Sequence, residues 1–267
     1  MSQLSKFIKH HEIKVALIDA AGVLYNTDGP IPSARPWLDK AQCQVVLATN
    51  NTYCHIQDIQ DRLSQQGIQL PKDHIISSGL GLADLPEIKA HIQDQHVYVF
   101  GSKMSEEYIL RANPKSITQT LDKADVIVLS STLKSDHESR FSEVCNHLKQ
   151  YPQTPVICSN PDQIIASNQG KKTVIGSTAK QLETMGHPVT WVGKPYPNFS
   201  QVVKQHCLKL GYEPGPQMCF IDDNPFNLQQ LCQDLNLKSI LITDTGIATH
   251  LSHCPFTPDL AIPALGH

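Results

Sequence analysis

Four short polar segments lie at or near the ends of predicted strands, and two of them could supply attack and binding groups. Asp19 ends an apolar run and Gly22 follows it, which predicts an exposed carboxylate beside a tight turn, either a nucleophile or a metal ligand. Thr49 and Asn50 end another apolar run, and their hydroxyl and amide groups can hydrogen-bond a phosphoryl oxygen without adding charge.

The other two segments supply charge. Lys194 stands between Gly193 and Pro195, and its ammonium can offset the negative charge of a phosphoryl group. Asp222 and Asp223 are adjacent carboxylates, which are difficult to hold together without a cation. Hard oxygen ligands with room for water and phosphate suit Mg²⁺. Because open parallel sheets build their sites at strand ends, the segments predict a metal and phosphate site.

Each segment also has a structural explanation, and locally that explanation is the better one. An aspartate at a strand end is often a helix N-cap, and a lone lysine such as Lys194 is usually solvated. The Thr-Asn-Asn run at 49–51 is typical of a turn, and residues 222–225 could form a helix-capping loop. The order and spacing of the four segments must therefore decide.

Short apolar runs alternate with amphipathic stretches along the chain, which implies parallel sheets with right-handed crossovers. Most of the apolar runs are rich in Val and Ile without polar alternation, as in strands buried on both faces. Strands are predicted at Lys14–Asp19, Gln44–Thr49, His96–Phe100, Asp125–Ser130, Pro155–Ser159, Val189–Val192, Gln217–Asp222 and Ser239–Thr243.

The stretches between these strands predict helices, and Gly67 and Gly211 follow two of them where a C-cap glycine is expected. The proline-rich tail from His250 is predicted to be irregular. The helices are predicted at His55–Gln66, Gly79–His91, Met104–Arg111, Ser135–Gln150, Asn198–Leu210 and Phe226–Leu235.

Composition narrows the class of protein. The 267 residues are 40% hydrophobic and 18% charged, as in an ordinary globular protein, and the formal net charge of −3 argues against nucleic acid as a partner. Residues 1–14 are polar, and the apolar run 15–24 is short and contains Asp19, so neither a signal peptide nor a membrane span is predicted. We expect a cytoplasmic protein with no membrane partner.

Two further sequence patterns weigh against other classes. The eight cysteines are scattered without a C-x-x-C pair, so we expect small buried thiols in a reduced compartment instead of a zinc site or disulfides. A dinucleotide-binding enzyme would carry G-x-G-x-x-G after its first strand, and residues 20–29 lack it.

Taken together, the four segments resemble the four motifs of the haloacid dehalogenase superfamily in order and spacing. The resemblance runs from about Lys14 to Thr245, nearly the whole chain. The fourth segment has the Asp-Asp-x-x-x-Asn form found in some members of the superfamily. The matching residues are Asp19, Thr49-Asn50, Gly193-Lys194-Pro195 and Asp222-Asp223 with Asn227.

Finer features resemble the class IIA branch, which includes nucleotide, phosphoglycolate and nitrophenyl phosphatases and carries a large cap between the second and third motifs. The segments Ile75–Ser78, Ser159–Asp162 and Thr243–Gly246 look like segments of that branch. The resemblance implies an α/β fold with a Rossmann-like parallel-sheet core, residues 1–74 plus 188–267, and an inserted α/β cap of the C2 type, residues 75–187. It also implies a homodimer paired through the cap.

The resemblance implies a reaction through Asp19, which would accept the phosphoryl group of a small phosphorylated molecule as an aspartyl phosphate. Mg²⁺ would be held by Asp19, by Asp223 and by the backbone carbonyl of Ala21, and would reduce repulsion between two anions. Lys194 would stabilise Asp19 and the developing charge.

Supporting roles follow from the same resemblance. Thr49 and Asn50 would hold phosphoryl oxygens. Asp222 and Asn227 would support the metal site from outside its ligand sphere.

Ala21 is the main difference from the phosphatases of this superfamily. They carry an aspartate there, which protonates the leaving alcohol and then activates water. General acid–base catalysis supplies ~10²–10⁴-fold, or roughly 3–5 kcal/mol of barrier lowering. The sequence therefore predicts a Mg²⁺-dependent phosphohydrolase with weak or specialised activity. The alternative is a binding or regulatory protein that keeps the pocket without turnover.

A superfamily relative that cleaves phosphonoacetaldehyde also carries alanine at this position. That reaction needs a lysine able to form a Schiff base. Lys103, Lys171 and Lys180 are available in the predicted cap, but no motif marks them.

Overall fold

The computed structural model describes residues 2–27, 29–133, 135–167, 170–251, 254 and 256–267. The strands are β1 Val15–Ile18, β2 Tyr25–Asn26, β3 Gly29–Pro30, β4 Gln44–Thr49, β5 Ile75–Ser77, β6 His96–Phe100, β7 Ser116–Thr118, β8 Val126–Leu129, β9 Val156–Cys158, β10 Ile164–Ser167, β11 Gly170–Thr173, β12 Val189–Trp191, β13 Met218–Asp222, β14 Lys238–Ile242 and β15 Leu260–Ile262.

Helices connect most of these strands, and single 3₁₀ turns occupy several of the shorter links. The α-helices are α1 Gln3–His10, α2 Ala34–Leu38, α3 Ile56–Gln65, α4 Gly81–Asp84, α5 Pro86–Lys89, α6 Glu106–Leu110, α7 His137–Gln150, α8 Ile175–Thr184, α9 Pro197–Lys209 and α10 Pro225–Leu235. The 3₁₀ helices are Lys72–His74, Ser78–Leu80, Lys103–Ser105, Leu121–Lys123 and Ile247–His250.

The first sheet, called the core sheet, has six parallel strands in the order β15-β14-β13-β1-β4-β5. Strand β1 lies at its centre, where Ile18 pairs with Leu47 on one side and Ile221 on the other. Every residue of β1 and β13 is buried, which is why these strands are continuous apolar runs. Helix α10 packs on β13 and β14 and against α9.

The second sheet has five parallel strands in the order β12-β9-β8-β6-β7 and lies between β5 and α9 in the chain. It has its own apolar cluster, to which Phe100, Leu129 and Leu148 contribute. Antiparallel hairpins are formed by β10 with β11 and by β2 with β3. The predicted α/β class with parallel sheets is confirmed.

The predicted domain boundaries lie at residues 74/75 and 187/188. Strand β5 joins the core sheet and β12 joins the second sheet, so the change of sheet falls a few residues after each predicted boundary. The division of the chain into two domains at those bounds stays a prediction.

The predicted strands all form within a residue or two of their expected bounds, and Gly67 and Gly211 have positive φ after their helices. The long helix predicted from Gly79 is wrong. It breaks at Leu85, which is extended because Pro86 follows it. The tail is also not irregular throughout, since β15 pairs with β14. Residues 252, 253 and 255 of that tail lie outside the described residues.

Side-chain hydrogen bonds fasten loops of the second sheet over the carboxyl edge of the core sheet. Thr52 Oγ1 donates to the carbonyl of Ser130 at 2.5 Å. Ser78 Oγ donates to the carbonyl of Ser159, also at 2.5 Å. The ends of β1, β4 and β13 therefore face the loops that follow β8 and β9.

No helix within the described ranges is both long and apolar enough to cross a membrane.

Candidate active site

Asp19 directly follows β1, at the centre of the carboxyl edge of the core sheet. Its backbone N–H donates to the carbonyl of Ile221 at 2.8 Å, which continues the pairing with β13 and fixes where the carboxylate begins. The residue is only 7% exposed, yet it lines a cavity. A buried carboxylate opening on a cavity needs a nearby positive charge.

Lys194 provides that charge from the turn between β12 and α9. Its Nζ lies 2.7 Å from Asp19 Oδ1 and 2.8 Å from Asp222 Oδ2, and the residue is 2% exposed. Burial alone would lower the pKa of Lys194, but the two facing carboxylates raise it above its usual value. The side chain is therefore a fixed ammonium at physiological pH.

Asp222 ends β13 and Asp223 follows it, and both lie next to Asp19. Asp222 is fully buried and accepts the backbone N–H of Asn224 at 2.7 Å through its second oxygen. Burial raises the pKa of Asp222 although Lys194 opposes the shift. Burial and then repulsion from Asp222 and Asp19 raise the pKa of Asp223 well above its usual value. The site holds more negative charge than its own cation can balance.

The donor set fits a divalent cation. Oxygens of Asp19, Asp222 and Asp223 lie within 4.8 Å of one another. When all three carboxylates are ionised, the single ammonium of Lys194 leaves two negative charges, which is the charge that Mg²⁺ neutralises. Among the described residues, the buried Oδ1 of Asn227 has no hydrogen-bond partner. Carboxylate and amide oxygens are the hard ligands that Mg²⁺ prefers.

Two glycines leave room for the Asp223 carboxylate. A Cβ at Gly22 or at Gly246 would overlap that carboxylate, and Gly22 also has a φ of +81°. Asp223 Oδ2 accepts the backbone N–H of Ile247 at 2.6 Å, and Thr245 Oγ1 donates to the carbonyl of Gly22 at 2.6 Å. The loop of the first motif is thereby tied to the segment that follows β14.

Asn50 links three parts of the site. Its Nδ2 donates to Asp162 Oδ1 and to the carbonyl of Lys194, both at 2.9 Å, and its Oδ1 accepts the Lys194 N–H at 2.8 Å. Its amide hydrogens are both used, so the Asn50 side chain has none left for a phosphoryl oxygen. Thr49 Oγ1 accepts the N–H of Asn51 at 3.2 Å and faces the cavity. The phosphoryl-binding role of Asn50 stays a prediction. Its backbone, and not its side chain, would have to contact the phosphoryl group.

Two adjoining cavities meet at Asp19. The larger, of about 540 Å³, lies between the core sheet and the loops of the second sheet, and Arg62 and Lys172 bring positive charge to its wall. The smaller, of about 110 Å³, is lined by Asp223 and Asn227 as well as Asp19. Ala21 lines both cavities. The predicted site residues therefore come together, with Lys194 and Asp222 behind Asp19.

Sequence reasoning missed Asp162 and Tyr25, which also line both cavities. Asp162 stands in the loop between β9 and β10, and burial raises its pKa to about 6, with Lys194 opposing and Asp19 adding to the shift. Burial raises the pKa of Tyr25 to about 12. The position of Asp162 shortly after an apolar strand was a usable signal, since β9 is buried.

The lysines considered for a Schiff base do not line either cavity. Lys171 Nζ donates to the carbonyl of His250 at 3.0 Å, and Lys180 pairs with Glu183 at 2.9 Å. All eight cysteines are free, and most are buried. The cysteine pattern therefore reflects packing.

Comparison with known proteins supports the class suggested by this geometry. Residues 16–114 match the family model of haloacid dehalogenase-like hydrolases. No protein among the curated sequences matches the chain significantly. The matched range contains the first two motifs, with Asp19, Thr49 and Asn50.

Solved structures share the fold over nearly the whole chain. A 4-nitrophenylphosphatase from Thermotoga maritima is 22% identical, with 96% of each chain covered and a TM-score of 0.74. A possible sugar phosphatase of the haloacid dehalogenase superfamily from Cytophaga hutchinsonii is 20% identical, covering 97% of this chain and 96% of that one, with a TM-score of 0.79. A glycerol phosphate phosphatase from Mycobacterium tuberculosis in complex with magnesium is 17% identical, covering 88% and 69%, with a TM-score of 0.71.

These findings confirm the resemblance to the haloacid dehalogenase superfamily that the motifs indicated. The fold is that of its phosphatases, a Rossmann-like core sheet with a second α/β unit inserted in the chain.

Proposed function

We propose that this chain is a Mg²⁺-dependent phosphohydrolase of the haloacid dehalogenase type, acting on a small phosphorylated molecule with weak or specialised activity. The observation that carries the proposal is the placement of Asp19. It is paired with Lys194, lies beside Asp223, and opens on a cavity that also contains Thr49. A nucleophile, a fixed cation, a metal site and a hydroxyl donor are the groups that phosphoryl transfer requires.

In the proposed reaction, a carboxylate oxygen of Asp19 attacks phosphorus and the bond from phosphorus to the leaving oxygen breaks. Lys194 holds Asp19 in place and balances charge on the phosphoryl group. The hydroxyl of Thr49 donates to a phosphoryl oxygen. Water then attacks the aspartyl phosphate at phosphorus and releases inorganic phosphate.

A bound magnesium ion would reduce the repulsion between the anionic nucleophile and the anionic substrate. Asp19, Asp223 and the carbonyl of Ala21 would hold it. Asp222, held by Lys194, and Asn227 would support these ligands from outside.

The cavity supports a small anionic substrate. Its volume of about 540 Å³ suits a metabolite, and the described residues on its wall include the cations Arg62 and Lys172. The similar solved structures named above are a 4-nitrophenylphosphatase, a glycerol phosphate phosphatase and a possible sugar phosphatase. The homodimer and the cytoplasmic location stay predictions.

Ala21 favours a second candidate function, a protein that binds metal and phosphate without turnover. Its methyl group lines both cavities where the phosphatases of the superfamily carry a carboxylate. Such a protein would bind Mg²⁺ and a phosphate ester. It would not hydrolyse the ester, whether the leaving group is good or poor.

The test is release of p-nitrophenol and phosphate from p-nitrophenyl phosphate, with Mg²⁺ or EDTA. We expect Mg²⁺-dependent turnover by the wild type that Asp19→Asn abolishes. Asp61→Asn removes an exposed carboxylate of α3 and should leave the rate unchanged. Wild-type silence with turnover by Ala21→Asp would support the binding protein. Silence of both the wild type and Ala21→Asp, without Mg²⁺ binding, would refute both functions.

A further inference from the structure

With alanine at position 21, the cavity lacks the carboxyl group that phosphatases of the superfamily carry there, but a second carboxylate faces the same space. Among the described residues that line the larger cavity, the carboxylates are Asp19 and Asp162. Asp19 comes from the end of β1 in the core sheet. Asp162 comes from the loop after β9 in the second sheet, so the two carboxylates approach the cavity from different sheets.

The backbone of Asp162 is held on both sides. Its N–H donates to Asn160 Oδ1 at 3.1 Å, and its carbonyl accepts the N–H of Gly176 at 3.0 Å. A Cβ at Gly176 would overlap that carbonyl, so the glycine permits the close approach. The side chain therefore starts from a fixed point at the cavity wall.

The carboxyl group of Asp162 is also oriented. Oδ1 accepts a hydrogen bond from Asn50 Nδ2 at 2.9 Å, and the Asn50 side chain also hydrogen-bonds the backbone carbonyl and N–H of Lys194. With Oδ1 engaged as an acceptor, a proton on the group resides on Oδ2. Because Asn50 directly follows Thr49, the donor is coupled to the strand end proposed to bind the phosphoryl group.

The electrostatic surroundings suit a group that both gives and takes a proton. Burial raises the pKa of Asp162 to about 6, with Lys194 lowering it and Asp19 raising it. Tyr25 lines the same cavity, but its pKa of about 12 makes it a poor proton donor at neutral pH. Efficient general acids and bases titrate near the working pH.

We propose that Asp162 is the general acid and base of this enzyme and replaces the aspartate that is missing at position 21. The inference rests on the proposed function and deepens it. As Asp19 attacks phosphorus, Asp162 gives its proton to the departing oxygen, which leaves as the alcohol. The resulting carboxylate then takes a proton from water, whose oxygen attacks phosphorus and frees Asp19.

The two steps can be separated by the leaving group. p-Nitrophenolate leaves without a proton, whereas an alkoxide such as that of glycerol 3-phosphate needs one. The experiment is rapid-mixing kinetics with both esters and Mg²⁺ for the wild type, Asp162→Asn and the control Asp61→Asn. Asparagine keeps the size and the acceptor oxygen of Asp162, but its amide has no acidic proton to transfer to a leaving group.

With Asp162→Asn, we expect turnover of the alkyl ester to fall by roughly 10²–10⁴-fold. With p-nitrophenyl phosphate, the first turnover should keep its wild-type rate and the later turnovers should slow, giving a burst of one p-nitrophenol per site. The acidic pH dependence of the alkyl reaction, set by Asp162 between Lys194 and Asp19, should disappear. Equal losses at both steps for both esters would mean that Asp162 only supports the loop, which would overturn the proposal.

The double variant Ala21→Asp, Asp162→Asn distinguishes chemistry from folding. A carboxylate restored at position 21 should recover turnover of the alkyl ester if Asp162→Asn lost only a proton carrier. Failure of this rescue, with the Ala21→Asp single variant active, would overturn the role of Asp162. If Asp162→Asn turns over both esters at the wild-type rate, the role of Asp162 is also overturned, and the proposed phosphohydrolase function stands. Absence of wild-type turnover with either ester would refute the proposed function itself, and Asp162 with it.

Discussion

Replacement of Asp162 by asparagine should make the protein more stable at neutral pH. Burial raises the pKa of this carboxyl from 3.8 to about 6, so the folded state binds its proton more tightly than the unfolded state does. Each pKa unit is worth about 1.4 kcal/mol, and the shift of roughly two units therefore amounts to about 3 kcal/mol. This stability is present below pH 4 and is lost as the pH rises to about 6.

Asparagine resembles the protonated carboxyl and loses nothing over that range. The free energy of unfolding of Asp162→Asn should therefore exceed that of the wild type by about 3 kcal/mol at pH 8 and match it near pH 4. The assay is urea denaturation between pH 4 and pH 8 in EDTA, so that no metal alters the charge of the site.

The control is Asp61→Asn on α3, an exposed carboxylate outside the cavity, for which we expect a change within about 0.5 kcal/mol at every pH. A variant at position 162 that is less stable than the wild type at pH 8 would refute the reasoning. So would a gain that does not shrink toward pH 4, because that would not come from titration.

Three further perturbations probe the charged cluster. Lys194→Met leaves buried carboxylates without their ammonium and should lower the free energy of unfolding at pH 7 by about 3–5 kcal/mol, measured by urea denaturation. The control Lys238→Met breaks a partly exposed ion pair and should lower the free energy of unfolding by under about 1 kcal/mol. Equal losses would contradict the burial argument. Gly246→Ala puts a Cβ into the carboxylate of Asp223 and should weaken Mg²⁺ binding, measured by calorimetry, at least ~10-fold. The control Gly215→Ala adds a Cβ in open space and should leave the affinity unchanged. A normal affinity in Gly246→Ala would place the ion elsewhere. Mg²⁺ at 100 times its Kd should stabilise the wild type by about 2.7 kcal/mol and raise its Tm reversibly with EDTA, and an unchanged Tm would argue against the metal site.

The core strands were predictable because their chemistry is local. Strands β1 and β4 are rich in Val, Ile and Leu, and β13 is the apolar run Met-Cys-Phe-Ile ahead of Asp222. Parallel strands place their carboxyl ends at one edge. Asp19, Thr49 and Asp222 could therefore be assigned to one site from the amino-acid sequence alone. Shorter elements gave weaker signals: helix α1 has only Leu4 and Ile8 buried, and β15 has three residues.

The remaining parts of the site depend on contacts between distant segments. Asn50 meets Asp162 across 112 positions and Lys194 across 144. A single sequence shows that Asn50 can donate hydrogen bonds, but not that both are directed to protein acceptors. It likewise shows no reason for the partial burial of Asp162, because the loop after β9 is polar and its enclosure comes from contact with the core sheet through Asn50.

The order of strands in the core sheet also bears on how the chain is made. Val15 pairs with Met218, so β1 cannot pair with β13 until most of the chain has left the ribosome. The second sheet draws all its strands from β6 to β12, a continuous stretch that is complete before β13 is synthesised. During synthesis the inserted sheet can close first, while the edge of β1 that pairs with β13 stays open. Contacts of such long sequence separation slow folding, and we expect a nascent chain ending before β13 to depend on chaperones.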